Sequence, residues 1–570
     1  MKISISQLNS IVGDLEGNAD KIYQSALTSI NNSVELLLTP ELSLWGYPPK
    51  DLLLNSQLID KQEKILNHLV NRLKDKKYLM ILIGVVEKIS DSKIPNLFNA
   101  IAKIDKNGWD IVARKQLIPS YDVFDEARYF RSSNQSGLIS YQAKDKTWKI
   151  GLTICEDLWV NESIQGKQIH GRNPIIDLSK DNIDLLINLS ASPFTFLKHE
   201  IRSKLARHAA NKLKCPVVFV NQVGGNDELV FDGRSFVINS LGETICSLKM
   251  CYEQLLIWDT NSKEDVKNIE VKSKYENLFH VLVLGIRDYA KKCGFKSAVL
   301  GLSGGIDSAL VAVLAVSAFG KENVNVVAMP SPWSSEGSLI DAKSLSNRLG
   351  LNLTKINISN LMSEYDNALE ITLRKKPTGL TAENLQSRIR GTLLMALANQ
   401  NNHLLLSTGN KSELAVGYCT LYGDMNGGLA VIGDIYKTNV FKLCEWLDGN
   451  DSLLTRKQYG LNPLDPIIGK EIRSKPPSAE LREGQLDTDS LPDYQSLDLL
   501  LKKIIEKRIS EEELIKGGHS KKEILKIINL IKKSEFKRKQ APPVIKVSSQ
   551  SFGSDWRLPI ASCIQNNLNA

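Results

Sequence analysis

The chain has 570 residues, more than one hydrophobic core supports, so two large units are expected. With 42% hydrophobic and 24% charged residues it has the balance of a folded globular protein, which argues against a disordered or membrane class. The net charge of +8 arises from 72 basic and 64 acidic residues interleaved along the chain; this lacks the basic stripe of a nucleic-acid binder and suits a small phosphate-bearing substrate.

From Met1 to Ser6 the chain passes directly into a strand-like alternation, with no apolar stretch of signal-peptide length behind it. No segment approaches the ~20 apolar residues of a bilayer span. The eight cysteines show neither CxxC pairs nor zinc spacing, so a reducing, cytoplasmic setting is expected.

Apolar, β-branched runs at 34–38, 79–86, 150–154, 185–189 and 217–220, with helical stretches between them, predict an α/β unit. Residues 231–240 alternate as an exposed-edge strand does, Gly242 turns the chain, and 246–257 holds the returning strand. The charged, polar residues that follow predict a linker, which places one domain at 1–262, the linker at 263–275 and a second domain at 276–570. That second α/β unit opens with a helix over 276–293, a strand at 297–302, a glycine turn and an apolar helix over 309–319. A strand at 325–329, further alternation through 403–406, and polar helices over 499–536 complete it, with residues 382–390 preceding a helix at 393–398.

Three segments of the first unit display a reactive side chain just after a strand: Glu41, Lys115 and Cys155. A thiol, a carboxylate and an ammonium suffice for acyl transfer from a carboxamide. The thiol attacks, the carboxylate moves protons, and the ammonium stabilises the oxyanion and favours the thiolate. The flanking patterns are PELxxxGYxxxD at 40–51, RKxLxxxxxxFxExRYF at 114–130 and GxxICEDLW at 151–159. In order and separation they resemble the carbon–nitrogen hydrolase (nitrilase) superfamily. The resemblance implies a four-layer αββα sandwich to about residue 260, with Cys155 as nucleophile, Glu41 as general base and Lys115 as the oxyanion-side cation. It also implies that Tyr121, Ser192 and Lys198 hold glutamine and that Glu126 assists the triad.

In the second unit Gly301, Leu302, Ser303, Gly304, Gly305, Ile306, Asp307 and Ser308 run from a strand into a helix. Such a glycine turn at a helix N-terminus cradles an anion. The Walker spacing is absent, and SGGxDS resembles the PP-loop of ATP pyrophosphatases, which implies a Rossmann-like, doubly wound parallel sheet that takes ATP as co-substrate. Asp307 offers hard oxygen to Mg²⁺. Further segments at 382–390, 407–413 and 417–424, with Lys437 and Thr438, resemble the NAD⁺ synthetase family, in the form that carries a nitrilase-like domain and draws nitrogen from glutamine.

That resemblance implies ATP contacts at Thr408 and Lys437, deamido-NAD⁺ contacts at Asn384, Glu413 and Lys537, and magnesium at Asp307 and Glu413. Arg388 shares the Asn384 segment. Phe536 and Lys537 stand where ammonia-only relatives carry a His-Lys pair. The implied reaction is amidation of deamido-NAD⁺ through an adenylylated intermediate, giving AMP, pyrophosphate and glutamate, with ammonia passed between sites through an enclosed channel. Glutamine, ATP and deamido-NAD⁺ are the expected partners, without nucleic acid or membrane, in a homo-oligomer. Two other readings stay open: a PP-loop amidotransferase acting on another carboxylate or carbonyl, and a synthetase whose nitrilase-like domain serves assembly only.

Overall fold

The computed structural model describes residues 1–75, 79–90, 94–143, 146–165, 171–262 and 273–562. The chain forms two compact units, Met1–Lys272 and Ser273–Ala570. Residues 263–272 of the expected linker lie outside the described residues. The remaining three are not linker: the Ser273 side chain caps a helix by accepting the Glu276 amide at 3.2 Å, and Lys274 and Tyr275 begin that helix.

The first unit contains β1 (Lys2–Gln7), β2 (Leu36–Leu38), β3 (Met80–Lys88), β4 (Leu97–Asp105), β5 (Gly108–Arg114), β6 (Gly137–Gln142) and β7 (Thr147–Ile154). It continues with β8 (Leu185–Ser190), β9 (Val217–Asn221), β10 (Val223–Asn226), β11 (Leu229–Asp232), β12 (Phe236–Ile238), β13 (Thr244–Ser247) and β14 (Gln254–Asp259). Two six-stranded sheets result, ordered β14-β1-β2-β3-β4-β5 and β13-β12-β9-β8-β7-β6, with β10 and β11 as a separate pair.

Period-two alternation sorts the layers. Ile3, Ile5, Leu36 and Leu38 of the first sheet meet Ile150, Leu152, Ile154, Ile187 and Leu189 of the second in one core. Leu37, between two of these, faces the opposite way, into the core shared with α1 (Leu15–Asn31) and α2 (Ser56–Leu73). On the far side Leu186, Val217 and Phe219 pack with Leu205, Ala206 and Ala209 of α3 (Lys198–Leu213). The sandwich is therefore αββα, and each fully buried Leu or Ile in it contributes about 1.5–3 kcal/mol.

The stretch 231–240 departs from expectation. It is not one exposed-edge strand: Gly233 and Arg234, at φ 67° and 53°, break it into the end of β11 and the whole of β12. Phe231, Phe236, Val237 and Ile238 are buried, and β12 is flanked by β9 and β13. Residues 246–257 likewise divide, between the end of β13 in one sheet and β14 in the other.

The second unit runs α4 (Lys274–Lys292), β15 (Ala298–Gly301), α5 (Ile306–Phe319), β16 (Val324–Ala328), α6 (Glu336–Leu349), β17 (Leu353–Lys355) and α7 (Ser359–Leu373). Then come α8 (Leu380–Asn401), β18 (Leu404–Ser407), α9 (Lys411–Val416), β19 (Leu429–Ala430) and α10 (Lys437–Asp448). All five strands are parallel in the order β17-β16-β15-β18-β19, so the winding reverses between β15 and β18. Open sheets of this kind take ligands at the carboxyl ends of the strands beside that reversal. Residues 382–390 do not precede a separate helix but belong to α8, which is continuous over 22 residues. The helices expected over 499–536 are present and not wholly polar, since Ile524, Ile527 and Ile531 bury one face of Lys521–Lys533. No helix among the described residues is long and apolar enough to cross a membrane.

Candidate active sites

Glu41 sits in the turn that leaves β2, and Gly84 of β3 lets that turn lie on the strand. A Cβ at Gly84 would stand 2.1 Å from the Leu42 nitrogen and 2.6 Å from the Pro40 oxygen. The buried Glu41 carboxylate accepts from Lys115 Nζ and Asn99 Nδ2 through Oε1, both at 2.7 Å, and from the Ala191 amide through Oε2 at 2.9 Å. Lys115, directly after β5 and fully enclosed, also donates to Glu126 Oε1 at 2.7 Å, which in turn accepts from the Tyr47 hydroxyl at 2.7 Å. Burial works against the Lys115 charge, but Glu126 and Glu41 outweigh it and hold its pKa well above the ordinary lysine value. Burial raises the Glu126 carboxyl, with Lys115 opposing.

Cys155 follows β7 at φ 44°, a conformation costly for a side chain with a Cβ, and opens the 3-10 turn Cys155–Leu158. Burial pushes its thiol well above the usual cysteine range; Glu41 adds to the rise and Lys115 opposes it. The Lys115 ammonium thus acts on the thiol in the direction expected of it, against the effects of burial and of Glu41. Low dielectric penalises the thiolate more than one shared ammonium compensates.

Asp157, inside the same turn, fastens the parts together. Its Oδ1 accepts the amides of Gln116 and Leu117 at 2.9 and 2.8 Å, and its Oδ2 accepts the Ile154 amide at 3.0 Å. Burial pushes this carboxyl up to about 7, against the three amides that favour the carboxylate.

Of the three residues expected to hold glutamine, Tyr121 and Ser192 are tied to neighbours of Cys155 and Glu41. Tyr121 donates its hydroxyl to Glu156 Oε1 at 2.6 Å, beside Cys155. Ser192 follows Ala191, whose amide binds Glu41; its own amide donates to Asn221 Oδ1 at 2.8 Å and its Oγ accepts from Arg202 Nε at 3.0 Å. Lys198 begins α3 with Nζ 4.2 Å from the centre of the Trp159 ring, a cation–π contact.

In the second unit, β15 turns into α5 through the glycine motif. Gly304 lies at φ 85°, and a Cβ there would stand 2.2 Å from the Ser338 oxygen. The turn is held by the Ser303 amide donating to Ser308 Oγ at 3.3 Å, the Gly305 amide to Ser303 Oγ at 3.2 Å, and Ser308 Oγ to the Gly305 oxygen at 3.0 Å. Ile306, Asp307 and Ser308 form the first turn of α5, where the helix dipole and unused amides favour an anion. Thr408 directly follows β18, the neighbour of β15.

Lys437 Nζ bridges Asp307 Oδ2 and Glu413 Oε1, the latter at 3.3 Å. Asn410 joins the same two acids: its Nδ2 donates to Asp307 Oδ1 at 3.0 Å and its amide to Glu413 Oε2 at 3.2 Å. Burial pushes Glu413 up to about 8, with Lys437 opposing, while the two carboxylates hold Lys437 well above its ordinary value despite burial. Two carboxylates around one cation form an oxygen donor set that fits magnesium, which keeps most of its shell as water and phosphate. No cluster of three or more acidic, histidine or cysteine ligands occurs among the described residues.

Of the expected dinucleotide contacts, Asn384 and Lys537 brace the segment 417–421, as does Arg388. Asn384 Oδ1 accepts from Thr420 Oγ1 at 2.9 Å, and Arg388 Nε donates to the Leu421 oxygen at 3.2 Å. Lys537 Nζ donates to the Gly417 and Cys419 oxygens at 2.8 and 2.7 Å, and its neighbour Phe536 is exposed.

Sequence reasoning missed four contributors: Gly84, Asp157, Arg202 and Asn410. Asp157 lies within the recognised motif and was within reach. Arg202 had no local signal, because its partners, Asp232 at 2.7 Å and the Ser192 and Pro193 oxygens at 2.6 and 2.9 Å, come from other segments.

An αββα sandwich with an enclosed thiol–carboxylate–ammonium group, followed by a parallel sheet with a PP-loop, defines an amidase fused to an ATP-dependent synthetase domain. Residues 2–264 match the carbon-nitrogen hydrolase family and residues 278–541 the NAD synthase family. The glutamine-dependent NAD(+) synthetase of Synechocystis sp. is 48% identical, with 98% of each chain covered. That of Thermotoga maritima is 36% identical, with 100% of each covered. The solved structure of glutamine-dependent NAD+ synthetase from Acinetobacter baumannii in complex with adenosine diphosphate is 34% identical, covers 98% of each chain and superposes with a TM-score of 0.74. This chain belongs to the glutamine-dependent NAD(+) synthetase family.

Proposed function

We propose that the first unit hydrolyses glutamine and that the second uses ATP to install the released ammonia on deamido-NAD⁺, giving NAD⁺. Cys155 attacks the glutamine carboxamide as Glu41 takes the thiol proton and returns it to the departing ammonia. Lys115, whose charge is held by two carboxylates, stabilises the developing oxyanion. Water, activated by Glu41, then cleaves the thioester to glutamate. Tyr121, Ser192 and Lys198 hold the amino-acid end of the substrate.

At the second site the nicotinate carboxylate attacks the α-phosphorus of ATP, pyrophosphate leaves, and ammonia displaces AMP from the mixed anhydride. The PP-loop amides from Gly301 to Ser308 cradle the phosphates, with Thr408 and Lys437 beside them. Asp307 and Glu413 would hold magnesium, which supplies charge neutralisation at the phosphate oxygens. Asn384, Glu413 and Lys537 contact the dinucleotide, the first and last by shaping the 417–421 segment.

The observation that carries this reading is the presence, on one chain, of an enclosed thiol site and a PP-loop at the carboxyl edge of a parallel sheet. We place the enzyme in the cytoplasm as a homo-oligomer. Helix α7 supports the latter, since none of its 15 residues is buried. Mass spectrometry of the products formed from deamido-NAD⁺, ATP, Mg²⁺ and glutamine tests the whole reaction: NAD⁺, AMP, pyrophosphate and glutamate are expected in equal amounts. Glutamate without NAD⁺ would reject the acceptor.

A further inference from the structure

We propose that Arg390 binds the phosphate chain of ATP through the guanidinium edge that the protein leaves unpaired. The inference rests on reading the PP-loop as the ATP site.

Arg390 lies in the middle of α8, with Nε donating to the Met329 oxygen at 3.0 Å. That is one of the five N–H donors of the fork. No carboxylate lies within ion-pair distance of it among the described residues. Arg202 is paired with Asp232 at 2.7 Å and Arg538 with Glu535 at 2.7 Å, while the buried Arg456 is held by two carbonyl oxygens, those of Asp465 and Pro463 at 2.7 and 3.1 Å. The acid that influences Arg390 is Glu480, whose carboxylate is taken up by the hydroxyls of Ser335 and Ser338 at 2.8 and 2.6 Å. Burial pulls the Arg390 pKa down to about 10, so the charge is desolvated without matching compensation.

Its location identifies a bound phosphate as the counter-charge. Leu394, one helical turn on along the same face, and Met329, whose carbonyl anchors Arg390, both close on Gly301, the first residue of the PP-loop. A Cβ at Gly301 would stand 3.4 Å from Leu394 Cδ1 and 3.5 Å from Met329 Cε. Arg390 is thereby set at the carboxyl ends of β15 and β16, on the edge where the loop amides await an anion. A planar fork carrying unused donors matches phosphate oxygens and forms charge-assisted, bidentate bonds with them.

In adenylyl transfer the carboxylate oxygen bonds to the α-phosphorus and the bond from that phosphorus to the bridging oxygen breaks. The electron pair leaves with pyrophosphate. Arg390 moves no proton in this step; it neutralises phosphate charge while that bond lengthens.

The test uses the full chain and titrates ADP and, separately, deamido-NAD⁺ into Arg390→Gln, Arg390→Lys and Gly304→Ala, with glutaminase rate and melting temperature reporting on folding. Arg390→Gln is expected to weaken ADP binding roughly tenfold or more, with Arg390→Lys intermediate, and to leave deamido-NAD⁺ affinity within twofold. Should Arg390→Gln not fold, the Arg390→Lys titration decides. Unchanged ADP binding in a folded Arg390 variant, or loss confined to deamido-NAD⁺, overturns the proposal. Gly304→Ala separates the two readings, because a Cβ there collides with the Ser338 oxygen. If it abolishes ADP binding while Arg390→Gln does not, the PP-loop reading stands and the Arg390 assignment alone fails. If neither variant changes ADP binding, both fail.

Discussion

Asp157 Oδ1 accepts the Leu117 amide at 2.8 Å, so the segment that presents Lys115 is fastened to the turn that presents Cys155. Asp157→Asn keeps one acceptor but turns an NH₂ toward a backbone N–H. Loss of glutamine-driven NAD⁺ synthesis is expected with ammonium-driven synthesis retained, together with a stability loss of about 1–3 kcal/mol for the unsatisfied amide. Steady-state rates with each nitrogen donor and a denaturant titration check this. Undiminished glutaminase activity would reduce Asp157 to a dispensable contact.

Cys155→Ala is expected to abolish synthesis from glutamine while sparing synthesis from added ammonium, because the thiol serves the first half-reaction only. Lys115→Met should show the same selectivity, at an added cost of about 3–5 kcal/mol from leaving buried carboxylates without their cation. Equal losses with both donors would refute this division of labour.

The raised thiol pKa sets a pH signature. Alkylation by iodoacetamide needs the thiolate, so its rate at Cys155 should keep rising with pH beyond 9, where an ordinary cysteine levels off. Lys115→Met removes the opposing charge and should move the curve further upward in pH. A plateau below pH 8, followed by mass spectrometry of the labelled peptide, would show a thiolate already present at rest.

Asp307→Asn is expected to abolish synthesis with either donor, since a neutral amide is a poor magnesium ligand and leaves Lys437 without one of its two carboxylates. The readout is deamido-NAD⁺-dependent release of AMP and pyrophosphate. Release at the wild-type rate would exclude Asp307 from the metal and phosphate site.

Free ammonia is almost wholly protonated near neutral pH and then is not a nucleophile, which favours an enclosed, low-dielectric route between the half-sites. With unlabelled glutamine and excess ¹⁵N-ammonium at mildly alkaline pH, the new amide should carry mainly unlabelled nitrogen. Label in proportion to the bulk free ammonia would exclude such a route.

Glu41, Lys115 and Cys155 stood out in the sequence because each closely follows a short strand-like run within a local motif, and the structure places all three just beyond the ends of β2, β5 and β7. Interactions set by distant segments were not legible there. The stretch 231–240 looked continuous, and its break is fixed by left-handed backbone at Gly233 and Arg234, next to the Asp232 carboxylate that Arg202 holds. Residues 382–390 were read as preceding a helix at 393–398, whereas both belong to α8, which buries few of its side chains along its 22 residues. Asn384 and Lys537 were read through the family as substrate contacts, whereas their hydrogen bonds to the 417–421 segment, and that of Arg388, depend on a fold that no local pattern encodes.

The amidase centre draws on both sheets of its sandwich. Glu41 and Lys115 come from the ends of β2 and β5, while Cys155 and the Ala191 amide come from beyond β7 and β8. The site is thus a seam, complete only when the two layers are in register. A slip of one layer by a single residue would turn side chains to the opposite face and separate acid from thiol. Substitutions in the Ile5–Leu38–Ile154–Leu189 core, far smaller than those needed to unfold the unit, should therefore act as a misalignment gauge read directly in glutamine turnover.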